Sequence, residues 1–328
     1  MTGATGTGTG AIGTGGVPRR RDQPLIPLMA LLIILVVILA VAKPGILNGT
    51  WLATTIRAAV PLAILAACQT LAMLTGGIDL SVGAVASMSA YLTATLVSSQ
   101  GPVVAIVIAM LAVAVAGLVN GVGIGVFKVH PLIMTLGMSL VVLGVMSVYQ
   151  LAMVQEGAHI PPVVRWLGSG ISFGVLPNSL LVFVPISILI VVGLRRTGFG
   201  RLLFAVGDNP IAARLAGTRI WQVHLALYVL SAVLAGIAGI LVAGLNNSAT
   251  VSLVERLVLP SVAAAVIGGT SIMGGRGAYS GTMVGALILT VVATLLTVLE
   301  MPEAVRQILF GVIIVGVAAA YTRVSGEA

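Results

Sequence analysis

Charge is what this chain of 328 residues has least of: 7% of its positions are Asp, Glu, Lys or Arg, where soluble domains carry roughly a quarter. A chain this poor in charge cannot coat a globule of its size, so lipid must be the solvent for most of its surface. Cysteine is nearly missing too. The single Cys68 excludes an internal disulfide. Three dispersed histidines, His130, His159 and His224, offer no metal-ligand spacing. The only lysines, Lys43 and Lys128, do not follow glycine, so no Walker loop can place an ammonium on a nucleotide phosphate. Paired carboxylates and an activated nucleophile are missing from the apolar runs, which leaves an intramembrane enzyme poorly supported. Aromatics make up 4%, and no carbohydrate-stacking platform is obvious. The net charge of +8 is scattered among loops and forms no continuous groove, so it reads as membrane orientation and not as nucleic-acid binding.

What is present is apolar: 59% hydrophobic residues and a mean hydropathy of +1.20. Hydrophobic runs occupy approximately 25–42, 55–75, 82–98, 102–126, 131–154, 179–194, 223–245, 257–274, 278–298 and 305–321. Crossing a bilayer takes about 20 residues, with roughly 17 to 25 tolerated, and most of these runs qualify. The runs 82–98 and 257–274 are short and glycine-edged, and are expected to be re-entrant or broken. The expectation is an all-α polytopic membrane protein of about ten transmembrane helices, with glycine-rich broken or short spans and both termini cytoplasmic. Residues 1–24 form a Thr/Gly-rich tail, expected to be disordered, whose basic flank is Arg19, Arg20 and Arg21. The following run ends Ala40-Val41-Ala42 and imitates a secretory signal, but exceeds the roughly 7–15 residues of such a core; an uncleaved first span fits better. Residues 25–322 make the transmembrane domain, with a cytoplasmic loop at about 195–222, and 323–328 a short cytoplasmic tail. With this topology eleven of the sixteen Lys and Arg lie inside, in keeping with the positive-inside rule. The same assignment puts Glu156, Glu255, Arg256, Glu300 and Glu303 outside.

Three stretches interrupt the apolar pattern. The first, Leu74 to Gly83, contains Gly76, Gly77, Asp79 and Ser81. An acidic residue among spans is costly and normally has a partner or a task. Asp79 or Ser81 can accept hydrogen bonds from the amides that open the next helix; alternatively Asp79 lines a pathway or carries a proton. The second, Gly268-Gly269-Thr270-Ser271 through Gly277, is a glycine break in the other half of the chain. Paired interruptions in two halves point to a transport site between repeats. The third runs from Gly198 to Arg219. Within it Asn209 suits an N-cap, Pro210 the first helical position and Gly217 the stop. That encloses a helix of about seven residues, too short to persist in water undocked. Ile211 and Leu215 share a face beside Ala212, with Arg214 between them and Asp208 before the cap. It is either an ordinary interfacial loop helix or a docking knob for a partner. Gly117, Gly121 and Gly125 recur every four residues and read as close helix packing. Gln69, Asn120, Thr135 and Asn246 are the remaining polar candidates for a pathway.

Taken in order, Thr75-Gly76-Gly77-Ile78-Asp79-Leu80-Ser81-Val82-Gly83, Ala205 through Gly217, and Ile267 through Gly277 resemble the permease subunits of ABC importers for ribose, xylose and related monosaccharides. The resemblance covers roughly residues 25 to 322. It implies a permease of the bacterial cytoplasmic (inner) membrane that pairs, usually with itself, around one pathway. It also implies ATP-binding subunits docked on the cytoplasmic side and an extracytoplasmic solute-binding protein. ATP and magnesium would be held by the partner ATPase, with no cofactor in this chain. By similarity Asp208, Asn209, Pro210, Ile211, Ala212, Arg214, Leu215 and Gly217 would form the coupling helix. The chain departs from the family where Gly207-Asp208-Asn209 replaces Gly-Gly-Asn, at Leu143-Gly144, and at Val129-His130-Pro131. Read from the residues alone, an ion-coupled secondary transporter using Asp79 stays open; within the resemblance, so does an ABC permease for a non-sugar solute such as a nucleoside or branched-chain amino acid.

Overall fold

Apolar runs become helices here, and proline, asparagine and glycine set where they start and stop. The computed structural model describes residues 25–153 and 157–302, together with 304, 305, 307–309, 311, 312 and 316. In chain order its elements are α1 (Leu25–Ala42), α2 (Gly49–Leu74), α3 (Val82–Gly125), α4 (Pro131–Ala152), α5 (Pro162–Ser169), β1 (Ile171–Ser172), β2 (Leu176–Pro177), α6 (Leu180–Arg196), α7 (Gly198–Asp208), α8 (Pro210–Leu215), α9 (Ile220–Asn246), α10 (Val258–Ile267) and α11 (Tyr279–Val298). Asn48 caps α2 by accepting the Trp51 N–H at 2.9 Å. Pro131, Pro162 and Pro210 open α4, α5 and α8, where a missing N–H costs nothing.

Six helices, α1, α2, α3, α4, α9 and α11, are long and apolar enough to cross a membrane; α6 and α7, bent by 66° at their junction, allow a seventh. The all-α polytopic expectation is met, but about ten spans are not reached among the described residues. The runs 82–98 and 102–126 are the two arms of α3, parted where the backbone leaves the helix at Gly101 (φ 76°, ψ 165°) before Pro102, so α3 holds both expected runs. The run 257–274 yields only the ten residues of α10, about 15 Å at 1.5 Å per residue against a hydrocarbon core of about 30 Å. The 1–24 tail, most of the 305–321 run, the 323–328 tail, Glu156 and Glu303 lie outside the described residues, so neither terminus is placed.

The core is built from α2, the first arm of α3, and α9. Residues 59–74 and 81–95 are buried without interruption, as expected of helices apolar on every side. The two arms of α3 run in opposite directions along α9. On the second arm, Cβ atoms added to Gly117, Gly121 and Gly125 would stand 2.6 Å from Ala232 Cβ, 2.7 Å from Leu225 Cα and 2.8 Å from the Trp221 oxygen. On the first arm, Ala86 meets Gly239. The four-residue glycine spacing is therefore a backbone-to-backbone seam, the contact small residues make possible in lipid.

The link between α9 and α10 is not a free loop. It folds back into the bundle, where the Val254 N–H donates to Ser87 Oγ at 2.9 Å and Glu255 lies against Gly83.

Candidate functional site

The three stretches that broke the apolar pattern share one local construction. α2, α8 and α10 each end on a glycine with positive φ: Gly76 (78°), Gly217 (86°) and Gly269 (87°). In each, that glycine's N–H bonds back to the carbonyl three residues earlier: Met73, Arg214 and Val266. The next residue's N–H reaches the carbonyl five earlier: Ala72, Ala213 and Ala265. This paired closure satisfies the last carbonyls of a helix and requires the left-handed conformation that glycine adopts without strain. The two glycine breaks are thus the same helix stop used twice, although their residues do not repeat.

Two of these stops then meet at the foot of the third. The Gly275 N–H donates to the Leu74 carbonyl at 3.0 Å, joining the end of α2 to the loop after α10. Gly207, near the end of α7, lies beside the same carbonyl; a side chain there would collide with Leu74 O and stand 2.6 Å from Gly275 N. A Cβ on Gly274 would stand 2.7 Å from the Gly207 oxygen and 3.1 Å from Gly76 N. Three backbones from distant parts of the sequence touch without intervening side chains. Glycine is needed here for close approach, and at Gly76 and Gly274 for positive φ as well.

From this joint α8 projects outward. Asn209 Oδ1 accepts from Ile211 N at 3.0 Å and Ala212 N at 2.9 Å, the expected cap, and Pro210 occupies the first turn. Only Ala213 is buried. Asp208, Ala212, Arg214 and Gly217 are exposed, as are Ile211 (73%) and Leu215 (85%). The apolar pair on one face therefore has no partner within the described chain. α7 was not anticipated: the sequence read residues 198–208 as loop, whereas Leu203 and Val206 anchor a helix there.

Above the joint lies a buried polar knot. Asp79 is 2% exposed. Its Oδ1 accepts from Ser81 N at 3.0 Å and Ser81 Oγ at 2.6 Å, and its Oδ2 accepts from Ser231 Oγ at 2.8 Å. The Gln69 amide pairs with the Asp79 backbone in both directions, at 2.8 and 3.2 Å. Asn120 Nδ2 donates to Ser81 Oγ at 2.9 Å, and Thr135 Oγ1 accepts the Leu80 N–H at 3.1 Å. One carboxylate with three donors thus ties the start of α3 to α9, while the Gln69 amide adds α2 and Thr135 brings in α4. Gln69, Ser81, Asn120 and Thr135 are no more than 2% exposed, so none borders open solvent in this arrangement. Asp79 does accept the Ser81 amide that precedes α3, as a capping residue would.

The remaining candidates separate. Thr270 and Thr282 hydroxyls stand 3.5 Å apart, and Thr282 is 2.8 Å from Thr70, tying the second break to α2 and α11. Ser271 Oγ accepts the Met273 N–H at 3.2 Å. Gly268 packs against Gly281 and Thr282. Asn246, at the far end of α9, is exposed and belongs to neither group. Sequence reasoning missed Ser231, Leu74 and Gly207; a hydroxyl within the apolar α9 run was the one available signal for Ser231. Among the described residues no group of three His, Cys, Asp or Glu is placed to hold a metal ion.

Residues 51–318 match the profile of the family described as branched-chain amino acid transport system / permease component. Among curated relatives, the chain is 33% identical to the ribose import permease protein RbsC of Bacillus subtilis (strain 168), over 89% of this chain and 90% of that protein. It is 32% identical to the fructose import permease protein FrcC of Rhizobium meliloti, over 77% and 72%. To the galactofuranose transporter permease protein YtfT of Escherichia coli (strain K12) it is 34% identical, over 88% and 86%. No solved structure matches the chain.

Proposed function

Since the chain belongs to the branched-chain amino acid transport system / permease component family, we propose that it forms the translocation pathway of an ATP-driven importer of a monosaccharide of the pentose or hexose class. The names of the relatives support a sugar, despite the amino-acid wording of the family description. The protein itself is a multi-pass permease of the bacterial cytoplasmic membrane. In this reading residues 25–322 are the permease domain, crossing about ten times with both termini cytoplasmic. Two ATP-binding subunits dock on the cytoplasmic side and hold ATP and magnesium. A solute-binding protein delivers substrate outside, and a second copy of this chain completes the pathway.

The observation that carries the reading is the continuity from α8 into the core. Exposed Ile211 and Leu215 offer an apolar dock, and the helix behind them begins one residue after α7, whose Gly207 abuts Leu74 and Gly275. Movement of α8 therefore reaches α2 and the loop after α10 through backbone contacts, with no flexible side chain between. The permease does no covalent chemistry. ATP binding and hydrolysis shift the assembly between arrangements by differential binding.

The ion-coupled alternative needs Asp79 free to exchange a proton along a pathway. Its carboxyl group instead receives three hydrogen bonds in a closed interior, which favours a fixed structural acceptor. Reconstitution with the ATP-binding and solute-binding subunits tests the proposal. ATP-dependent uptake of labelled ribose or fructose, abolished by omitting either partner, is expected. Uptake driven by a proton gradient without ATP would contradict it.

A further inference from the structure

The link 247–257, which the sequence assigned to the outer side, carries two charged residues, Glu255 and Arg256, back among the helices. Two contacts fix its depth. Val254 bonds Ser87 on the first arm of α3, and the adjoining Ala86 faces Gly239, seven residues before the end of α9, about 10 Å at 1.5 Å per residue. α10 begins directly after this link, and runs against α11 with Ala264 beside Gly285 and Gly268 beside Gly281. This antiparallel register brings the start of α10 level with the outer half of α11. Glu255 and Arg256 therefore stand well inside the ends of α9 and α11.

Their exposure is specific. Glu255 is half-buried, with Oε1 shut from solvent and without a hydrogen-bond partner. Ser252, Arg256 and Leu259 are exposed along one side. Neither charged side chain makes an ion pair or hydrogen bond among the described residues. Lipid is excluded as the neighbour of this strip on two grounds. An arginine facing hydrocarbon is costly, and non-helical backbone at membrane depth is tolerated only against protein or a water-filled cavity.

We infer that Glu255 and Arg256 form a solute-contacting station in the translocation pathway, the carboxylate accepting from sugar hydroxyls and the guanidinium donating to sugar oxygens. This rests on the permease reading above. A neutral polyol presents donors and acceptors together, and the adjacent anion and cation match both without leaving a net local charge. The half-buried carboxylate makes no hydrogen bond among the described residues, and a hydroxyl-rich solute passing the strip can donate to Oε2, the oxygen that is not shut from solvent.

The test uses the complete complex in sealed vesicles, in two parts. Cys68 is fully buried and gives no background to thiol reagents. R256C is expected to react with a membrane-impermeant methanethiosulfonate at least tenfold faster than I33C on the exposed side of α1. Equal, slow reaction at both positions would overturn the pathway-facing placement, whether lipid or a partner copy covers the strip. In parallel, E255Q is expected to raise the KM for uptake of the transported sugar, from a labelled panel of ribose, fructose and galactose, by tenfold or more, with the complex still purifying with its ATP-binding subunits. An unchanged KM in an assembled complex would overturn the sugar contact. A wild-type complex that hydrolyses ATP yet takes up none of the panel would sink the sugar reading itself, before any variant is compared.

Discussion

Gly275 donates its amide hydrogen to the carbonyl of Leu74 at 3.0 Å, so the end of α2 and the loop after α10 are held by one backbone bond from opposite halves of the chain. Gly207 presses on the same carbonyl. A methyl group at position 207 has nowhere to go, because backbone surrounds it. G207A is therefore expected to destabilise the joint by about 1–3 kcal/mol, the usual cost of overpacking. Its signature is uptake reduced at least tenfold while the complex still hydrolyses ATP. Normal uptake by a stable G207A protein would show that the close approach is dispensable.

Leu215 is 85% exposed and makes its apolar contact with nothing in the described chain. L215D is expected to leave thermal stability in detergent within about 0.5 kcal/mol of the parent, as exposed substitutions do. Uptake should fall sharply and ATPase subunits should wash away more readily. Unaltered uptake would remove α8 from a docking role.

The knot at Asp79 separates capping from charge. D79N keeps an acceptor for Ser81, whereas D79L leaves the Ser81 amide and the Ser231 hydroxyl buried and unpaired, at about 1–3 kcal/mol for each group stranded. D79L should unfold at a clearly lower temperature than D79N, measured by thermal melts in detergent. Equal loss in both would show that the negative charge itself is required. S231A should fall between them, since it frees only Oδ2.

Phe173, 93% exposed at the tip of the β1–β2 turn, reports topology. F173C is expected to react with an impermeant maleimide from outside intact cells. Labelling only after the membrane is opened would invert the orientation read from the charge bias.

Local features were legible because they depend on a few adjacent residues. Asn209, Pro210 and Gly217 marked a short helix, and it forms within a residue of the expected limits. Gly76 and Gly269 marked stops for the same reason: only glycine takes positive φ freely. Gly117, Gly121 and Gly125 announced close packing, though not that α9 was the neighbour. What sequence could not give is juxtaposition. Nothing adjacent to Leu74 indicates that Gly207 and Gly275 converge on it, and Ser231 stands far along the chain from the carboxylate it serves. The inward packing of the 247–257 link was hidden for a physical reason. Glu255 and Arg256 made the link look like solvated loop, while its depth is set by Ser87 and Gly83, remote in sequence. The shortness of α10 was likewise not legible, because it is a matter of backbone path.

The most direct measurement is gentle solubilisation of native membranes, affinity purification through this chain, and intact-complex mass spectrometry. The expected result is a permease pair carrying two copies of a soluble ATP-binding subunit, with α8 as the contact that L215D weakens. Reproducible purification of the chain with no ATP-binding subunit, under conditions that preserve a known ABC complex, would contradict the importer account.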